Sequence, residues 1–481
     1  MFLLKDKKFV IGFLFFFLFS LISIVNHYSL RTFFDLGMVN QALYQIGNLQ
    51  SPLFTLGIDG INMPFLATHF SPIIYLYYPI FLIFGSYTPS VIQILIISLA
   101  GYPIYKFSKI KLNETLAKYC LLQFYLIWGI YAALAFDFHN NVIGSMILPW
   151  IFLYADQKKY PQLIISSFLM LICMETFGIW LFFIFCVLFL LDLKKYKKFN
   201  PQFPILAILS LIYSLAIIFY VMPSLQNTDQ NLQFLRFSHL GNSLGDIVLN
   251  LFNHPVNILK AFYINFNGGG IAYQKLIFMC FLIFSGGFLL YKNPILFLMF
   301  FVPVALKFLS SDVSLYGIYH QYSIEFVPLL SFTFILGLGK IEITQQKKIA
   351  FFCCVTTLFS TFLSMSFSLG EYDYKANSNI LSLKHYQSGL NLNSIKEDLK
   401  LIPNDVSVST SSCLSPYLYK RSNLYHFPII KDSKYIAVIK QNRSTWPITE
   451  EEHKQKIMEL KNLGTYTVLI ENNDLIILKK N

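Results

Sequence analysis

Residues 31–72 read RTFFDLGMVNQALYQIGNLQSPLFTLGIDGINMPFLATHFSP, Arg31 to Pro72, a polar stretch in a chain otherwise dominated by apolar runs. It holds two acids, Asp35 and Asp59, and one histidine, His69. In its first half Leu36, Val39, Leu43 and Ile46 recur at three- and four-residue steps while Gln41, Gln45 and Asn48 face away, which predicts an amphipathic helix. Asp35 falls at the expected N-cap of that helix. One role for it is to accept backbone N–H bonds there; the other is chemistry at a membrane surface.

The sequence around this stretch narrows the choice. Of 481 residues, 55% are hydrophobic, 17% aromatic and 13% charged, which is too apolar for an ordinary soluble protein and points to a polytopic α-helical membrane protein. The formal charge of +12 would suit nucleic acid. The lysines, however, lie in short clusters between apolar spans, as in loops that meet anionic membrane lipid, so no nucleic-acid partner is expected. The seven cysteines lie mostly within apolar spans and show no C-x-x-C spacing, which indicates neither a metal knuckle nor a disulfide framework. The start, MFLLKDKKFVIGFLFFFLFSLISIV, has an apolar run too long for a signal peptide and no small-x-small cleavage site, so an uncleaved first helix is expected.

That helix runs from about Phe9 to Leu30, and its lysines place the N-terminus in the cytoplasm and Asp35 outside. Ser71–Phe84, about 14 apolar residues, is shorter than the roughly 20 a crossing needs and suits an interfacial or re-entrant helix. Thr88–Tyr105 then crosses, followed by Tyr119–Leu134, Val142–Ala155, Gln162–Met174, Phe177–Leu191, Phe203–Met222, Lys275–Tyr291, Pro294–Leu309, Ser323–Leu338 and Lys348–Leu369, about eleven crossings in all. This register puts most loop lysines inside and leaves Arg31, Arg236 and Lys260 outside. It also sends the rare polar side chains to the outer ends: Asp137 and His139 in AFDFHNN, Glu175 in CMETFG, and His320, Tyr322 and Glu325 in GIYHQYSIEFVP. Residues 223–274 form a long outer loop with Arg236, His239, Asp246, His254 and the triplet Gly268, Gly269 and Gly270.

The membrane part is thus 1–369, and a polar tail, 370–481, reads as a small extracytoplasmic α/β domain. Capping boxes are expected at Ser394–Glu397 and Thr449–Glu452. The runs VSVS, YIAVI, YTVLI and DLIIL predict strands, the last two joined as a hairpin through Glu471 to Asn473.

Ionisable groups gathered near a membrane mark a functional site. Asp35, His69, Asp137, His139, Glu175 and His320 are the candidates. A partly desolvated carboxylate can act as general base on an attacking hydroxyl. An acid pair with a histidine, such as Asp35, Asp137 and His139, could instead hold a divalent cation, Mg or Mn. Against these stand plainer roles, Asp137 with His139 as a loop hydrogen-bond pair and His320 as an interfacial histidine on a carbonyl.

The segments FFDLGMVNQALY, THFSPIIYLYYPIFLIFG, FDFHNNVIGSMILPW, LICMETFGIWL and YHQYSIEFVPLL, with VSVSTSSCLSPYLYKRSNLYHFP in the tail, resemble a family of predicted multispanning proteins known as domain of unknown function 2079. That family is similar to the GT-C glycosyltransferases, membrane enzymes that move a sugar from a polyprenyl-phosphate carrier to an acceptor on the non-cytoplasmic face. The resemblance implies a GT-C-like fold, interfacial helices in the first outer loop, and a catalytic acid there, by position Asp35. His69, Asp137, His139, Glu175, His320 and Tyr322 would bind substrate. One departure is the pair Met174 and Thr176, where the family usually shows a lysine and a second acid around Glu175. The rival readings are a transporter of a lipid-linked or small solute, kept open by Gly129, Pro149 and Gly286 within spans, and a non-catalytic membrane assembly protein.

Overall fold

A computed structural model of the chain describes residues 7–57, 62–226, 236–264, 273–367 and 375–481. Asp59 and Gly268–Gly270 lie outside the described residues. The chain divides into two compact units, residues 1–19 with 93–379 and residues 20–92 with 380–481.

The first unit is a helix bundle. Among the described residues seven helical stretches are long and apolar enough to cross a membrane: Val10–Tyr28, Pro72–Lys111, Glu114–Ala135, Phe177–Tyr196, Gln202–Gln226, Gln321–Leu338 and Ile343–Ser366. The other expected crossings correspond to shorter helices, Asn140–Asp156, Tyr160–Leu171, Gln274–Phe284 and Phe297–Phe308. Short helices fit a bundle whose interior is protein rather than lipid, and small or polar residues let backbones approach there. In Ile343–Ser366 the buried face is Cys353, Cys354, Thr357, Ser360, Thr361 and Ser364, while Phe351, Phe352, Leu358 and Phe359 are exposed as a lipid-facing stripe would be. Gln123, fully buried, donates to the Ser285 carbonyl at 2.7 Å and accepts from Ser331 Oγ at 2.9 Å, so a polar group inside the bundle is satisfied by side chain and backbone alike.

The second unit joins the first loop, residues 31–72, to the tail. It opens with the end of α1 (Lys7–Tyr28) and contains α2 (Phe34–Gly47) and the two-residue antiparallel pair β1 (Leu53–Phe54) and β2 (Met63–Pro64). The tail supplies β3 (Val408–Thr410), β4 (Leu424–His426), β5 (Tyr435–Ile439), β6 (Tyr466–Glu471) and β7 (Leu475–Lys480) in the order β4-β3-β5-β7-β6. The first three are parallel neighbours and β6–β7 is the expected antiparallel hairpin. Alternation along β5 sorts its side chains into two cores. Tyr435, Ala437 and Ile439 pack with Leu30, Phe54 and Leu56 from the loop side, with Phe34 and Met38 against them. Ile436 and Val438 pack on Ile457 and Leu460 of the helix Glu450–Asn462.

Polar pairing ties loop to tail as firmly as the apolar core does. Thr55 Oγ1 donates to the Leu424 carbonyl at 2.7 Å and accepts from its N–H at 3.1 Å, doing for the outer strand β4 what a neighbouring strand would. Gln41 Nε2 reaches Thr55 Oγ1 at 3.0 Å and the Ser422 carbonyl at 2.9 Å. Two residues of the expected polar face of α2 are therefore buried, Gln41 against the tail and Gln45 accepting from the Leu53 N–H at 2.6 Å, while Asn48 is exposed. Arg443 donates to the Ser29 and Leu30 carbonyls, both at 2.5 Å, placing a cation at the carbonyl end of α1.

Between Phe84 and Thr88 the helical path breaks at Gly85, whose φ of +52° favours glycine. The short helix Tyr78–Phe84 is thereby set off from the helix Thr88–Lys111 within the apolar stretch. Of the two expected capping boxes, Thr449–Glu452 is formed in both directions. At the other, the N-cap is Asn391, whose side chain accepts from the Ser394 N–H, and Ser394 Oγ turns instead to Asp398 at 3.3 Å.

Candidate functional site

In the second unit the helix carrying Asp35 begins two residues earlier than its pattern implies. The N-cap is Phe33, without a side-chain cap bond, and Asp35 sits in the first turn. The capping role is thus displaced, and the carboxyl group is left to its surroundings. Two residues further on, a Cβ at Gly37 would stand 2.1 Å from Ser415 Oγ, so only glycine lets α2 lie against the tail segment Ser412–Tyr417. Burial pushes the Asp35 carboxyl up to about 6, outweighing the opposite pull of a backbone hydrogen bond and of the charge of His69. His69 itself follows the short helix Phe65–Thr68. An acid that titrates near neutrality can exist as an effective base at physiological pH.

Beside it lies a group that the sequence pattern did not reveal. Phe34, next to Asp35 in the chain, stacks on His426 at 5.2 Å between centroids and on Trp446 at 5.7 Å. His426 Nε2 shares a 2.6 Å hydrogen bond with Ser412 Oγ, and burial lowers its pKa to about 4, so the ring is neutral. The start of α2 is thereby braced by aromatic rings from the tail.

In the helical unit, Asp137 and His139 occupy the turn that precedes the helix Asn140–Asp156. The fully buried Gln93 holds this turn, donating to the Ala133 and Asp137 carbonyls at 3.2 and 3.0 Å and accepting from the His139 N–H at 3.3 Å. The Phe136 ring contacts both His139, at 5.4 Å, and His320, at 4.7 Å, so these two histidines come together around one ring. Burial takes His320 down to about 4 against the pull of Asp312, which makes it a neutral hydrogen-bonding group rather than a cation. Glu175 is buried at 4% exposure, and its carbonyl accepts from Ser214 Oγ at 2.5 Å. Tyr322 is half-buried, its ring 5.8 Å from Lys307 Nζ.

Lys307 was not foreseen. Placed in the apolar helix Phe297–Phe308 and only 2% exposed, it lies 2.5 Å from Glu325 Oε2, whose other oxygen accepts from Asn141 at 3.4 Å. A lone lysine inside an apolar span was the signal for it. Among the described residues no three His, Cys, Asp or Glu side chains gather as a metal-holding group.

The family described as "Predicted membrane protein (DUF2079)" matches residues 26–477. The chain is a DUF2079 protein. Among solved structures this DUF2079 chain is similar to ArnT from Cupriavidus metallidurans, crystallised bound to undecaprenyl phosphate, with TM-score 0.55, 8% identity, and coverage of 98% of this chain and 97% of that one. The likeness shows a GT-C-like fold. The Archaeoglobus fulgidus oligosaccharyltransferase, in complex with Zn and sulfate, is a more distant match, with TM-score 0.39, 12% identity, and coverage of 89% of this chain and 68% of that one. No curated protein matches the sequence. The DUF2079 chain is thus an integral membrane protein of GT-C-like fold.

Proposed function

We propose that this protein transfers a sugar from a polyprenyl-phosphate carrier to an acceptor hydroxyl at the outer face of the membrane, with Asp35 as general base. The observation that carries the reading is the half-buried Asp35 carboxyl in the first turn of α2, poised at about 6 with the charge of His69 acting on it. As the acceptor oxygen attacks the anomeric carbon, Asp35 takes its proton, the bond to the carrier phosphate breaks, and charge develops as in glycoside hydrolysis. Direct displacement inverts the anomeric centre. His69 is assigned to the carrier phosphate, and Asp137, His139, Glu175, His320 and Tyr322 to binding the donor. No step is routed through a cation.

The test is consumption of a panel of polyprenyl-phosphate sugars by the purified protein in nanodiscs, wild type against Asp35→Asn. Transfer that requires Asp35 supports the reading, and transfer by Asp35→Asn at the wild-type rate ends it. A carrier for a lipid-linked solute is the second reading, favoured by one observation, the buried Lys307–Glu325 pair inside an apolar bundle. Uptake into proteoliposomes without turnover would select it.

A further inference from the structure

The helical unit has a second polar end. The helix after His139 ends at Asp156, the helix after Glu175 ends at Tyr196, and the helix Phe326–Leu338 that follows His320 leads to Lys340. The 17 residues of Asn140–Asp156 span about 25 Å, roughly the apolar thickness of a bilayer. At this far end lies a cavity of about 200 Å3, with Lys111, Asp156, Asp192, Lys195 and Lys340 at its rim. Its wall is apolar, formed in part by the stacked rings of Phe152 and Phe332, 3.9 Å between centroids.

The charge there is unbalanced. Asp156 is engaged by Lys111, and Asp192 by Lys158 at 3.8 Å, so each acid already faces a lysine. Lys195 lies over the Tyr196 ring at 4.7 Å, and Lys340 donates to the Lys292 carbonyl at 2.7 Å. Neither contact supplies a full negative charge, and the acids whose charge Lys195 feels, Asp156 and Asp192, are the two that Lys111 and Lys158 already engage. Burial, then the charges of Lys194 and Lys292, hold the Lys340 ammonium below its ordinary range, as crowded positive charge should.

We infer that this cavity binds the phosphate head group of an anionic membrane lipid, with its chains lying along the apolar outside of the bundle. A rim of surplus lysine at the end of spanning helices attracts phosphate, and the apolar wall beneath accepts the adjoining carbon atoms. The volume is below that of pockets that enclose drug-sized ligands, so it admits a head group and not a whole lipid. This site is independent of Asp35 and of the transfer reaction.

Native mass spectrometry of the full-length protein, with phosphatidylglycerol, phosphatidylcholine or inorganic phosphate added, tests it. Phosphatidylglycerol should be retained at least about tenfold over phosphatidylcholine, a preference worth about 1.4 kcal/mol. K195Q/K340Q should abolish that preference, and D192N, which removes a negative charge from the rim, should strengthen it. K109Q, at the exposed Lys109–Glu114 pair, should leave it intact. Equal retention of the two lipids overturns the proposal, as does a preference that K195Q/K340Q leaves unchanged. Capture of inorganic phosphate with no lipid preference also overturns it, by assigning the cavity to a free anion. If the double variant does not fold, the direction of the D192N effect decides alone.

Discussion

Two acids, Glu325 buried in the helical unit and Asp35 half-buried in the other, are treated in opposite ways. Glu325 in the helical unit is locked against Lys307 at 2.5 Å and also accepts from Asn141. Asp35 in the loop-and-tail unit is governed by burial, which outweighs the pull of His69 and holds its carboxyl near 6. A buried acid in direct contact with a buried cation holds the packing around it, and losing either partner is felt as lost stability. A carboxyl whose enclosure is incompletely offset keeps an exchangeable proton in the working pH range, which is what a catalytic acid–base group needs. The contrast separates a structural acid from a reactive one.

The largest expected effect tests the reactive half. Asp35→Asn should lower transfer by about a hundredfold to ten-thousandfold, the usual reach of general acid–base catalysis. Stability should move the other way. The folded-state pKa of Asp35 lies above its ordinary value, so its stabilising contribution is complete below pH ~3.9 and is lost as pH climbs through 6. At pH 8 the variant should therefore melt no lower than wild type. Wild-type turnover should rise with pH through about 6. A variant that is both inactive and markedly less stable at pH 8 would place Asp35 with Glu325.

Breaking the locked pair tests the other half. Lys307→Met should cost about 3–5 kcal/mol by stranding the Glu325 charge, read as a lower melting temperature and poor recovery of folded protein. Lys307→Met with Glu325→Leu should recover most of that loss. If the double variant is stable yet inactive, the pair belongs to the chemistry after all.

His69→Gln gives a subtler effect. His69 holds the Asp35 pKa down, so its removal should shift the acid limb of the rate profile above 6, with any loss of donor affinity appearing separately in KM. Gly37→Ala should cost about 1–3 kcal/mol, because the new methyl meets Ser415 Oγ and overpacked sites must shift to make room. It should reduce transfer as well, since the same contact seats the helix that carries Asp35.

How much of this was legible beforehand follows from the range of each signal. The bilayer dictates span length and alternation dictates strand faces, so the major spans, YIAVI and the β6–β7 hairpin could be read locally. So could the placing of Asp137 and His139 at a helix start. The joining of 20–92 to 380–481 could not. It rests on pairs such as Gly37 with Ser415, Gln41 with Ser422 and Thr55 with Leu424, which lie hundreds of residues apart and leave no periodic trace. For the same reason Gln41 reads as a solvated residue in the sequence. Asn391 displaced Ser394 as a cap because either residue can accept from the same first turn, and only the entering backbone decides. The bracing of Asp137 by Gln93 needed two helices to be packed before it existed.

The smallest effect examines whether the reactive acid depends on the whole tail or on one face of its sheet. Thr449→Ala removes a reciprocal capping box and should cost about 1 kcal/mol. The helix it caps packs through Ile457 and Leu460 on Ile436 and Val438, the face of the sheet turned away from Phe34 and Met38. Melting should fall by a few degrees while transfer and its acid limb stay where they are. Were Thr449→Ala to depress transfer as strongly as Gly37→Ala, the seat of Asp35 would be sensitive to both layers of the domain, and the division between a stabilising face and a site-bearing face of the sheet would fail.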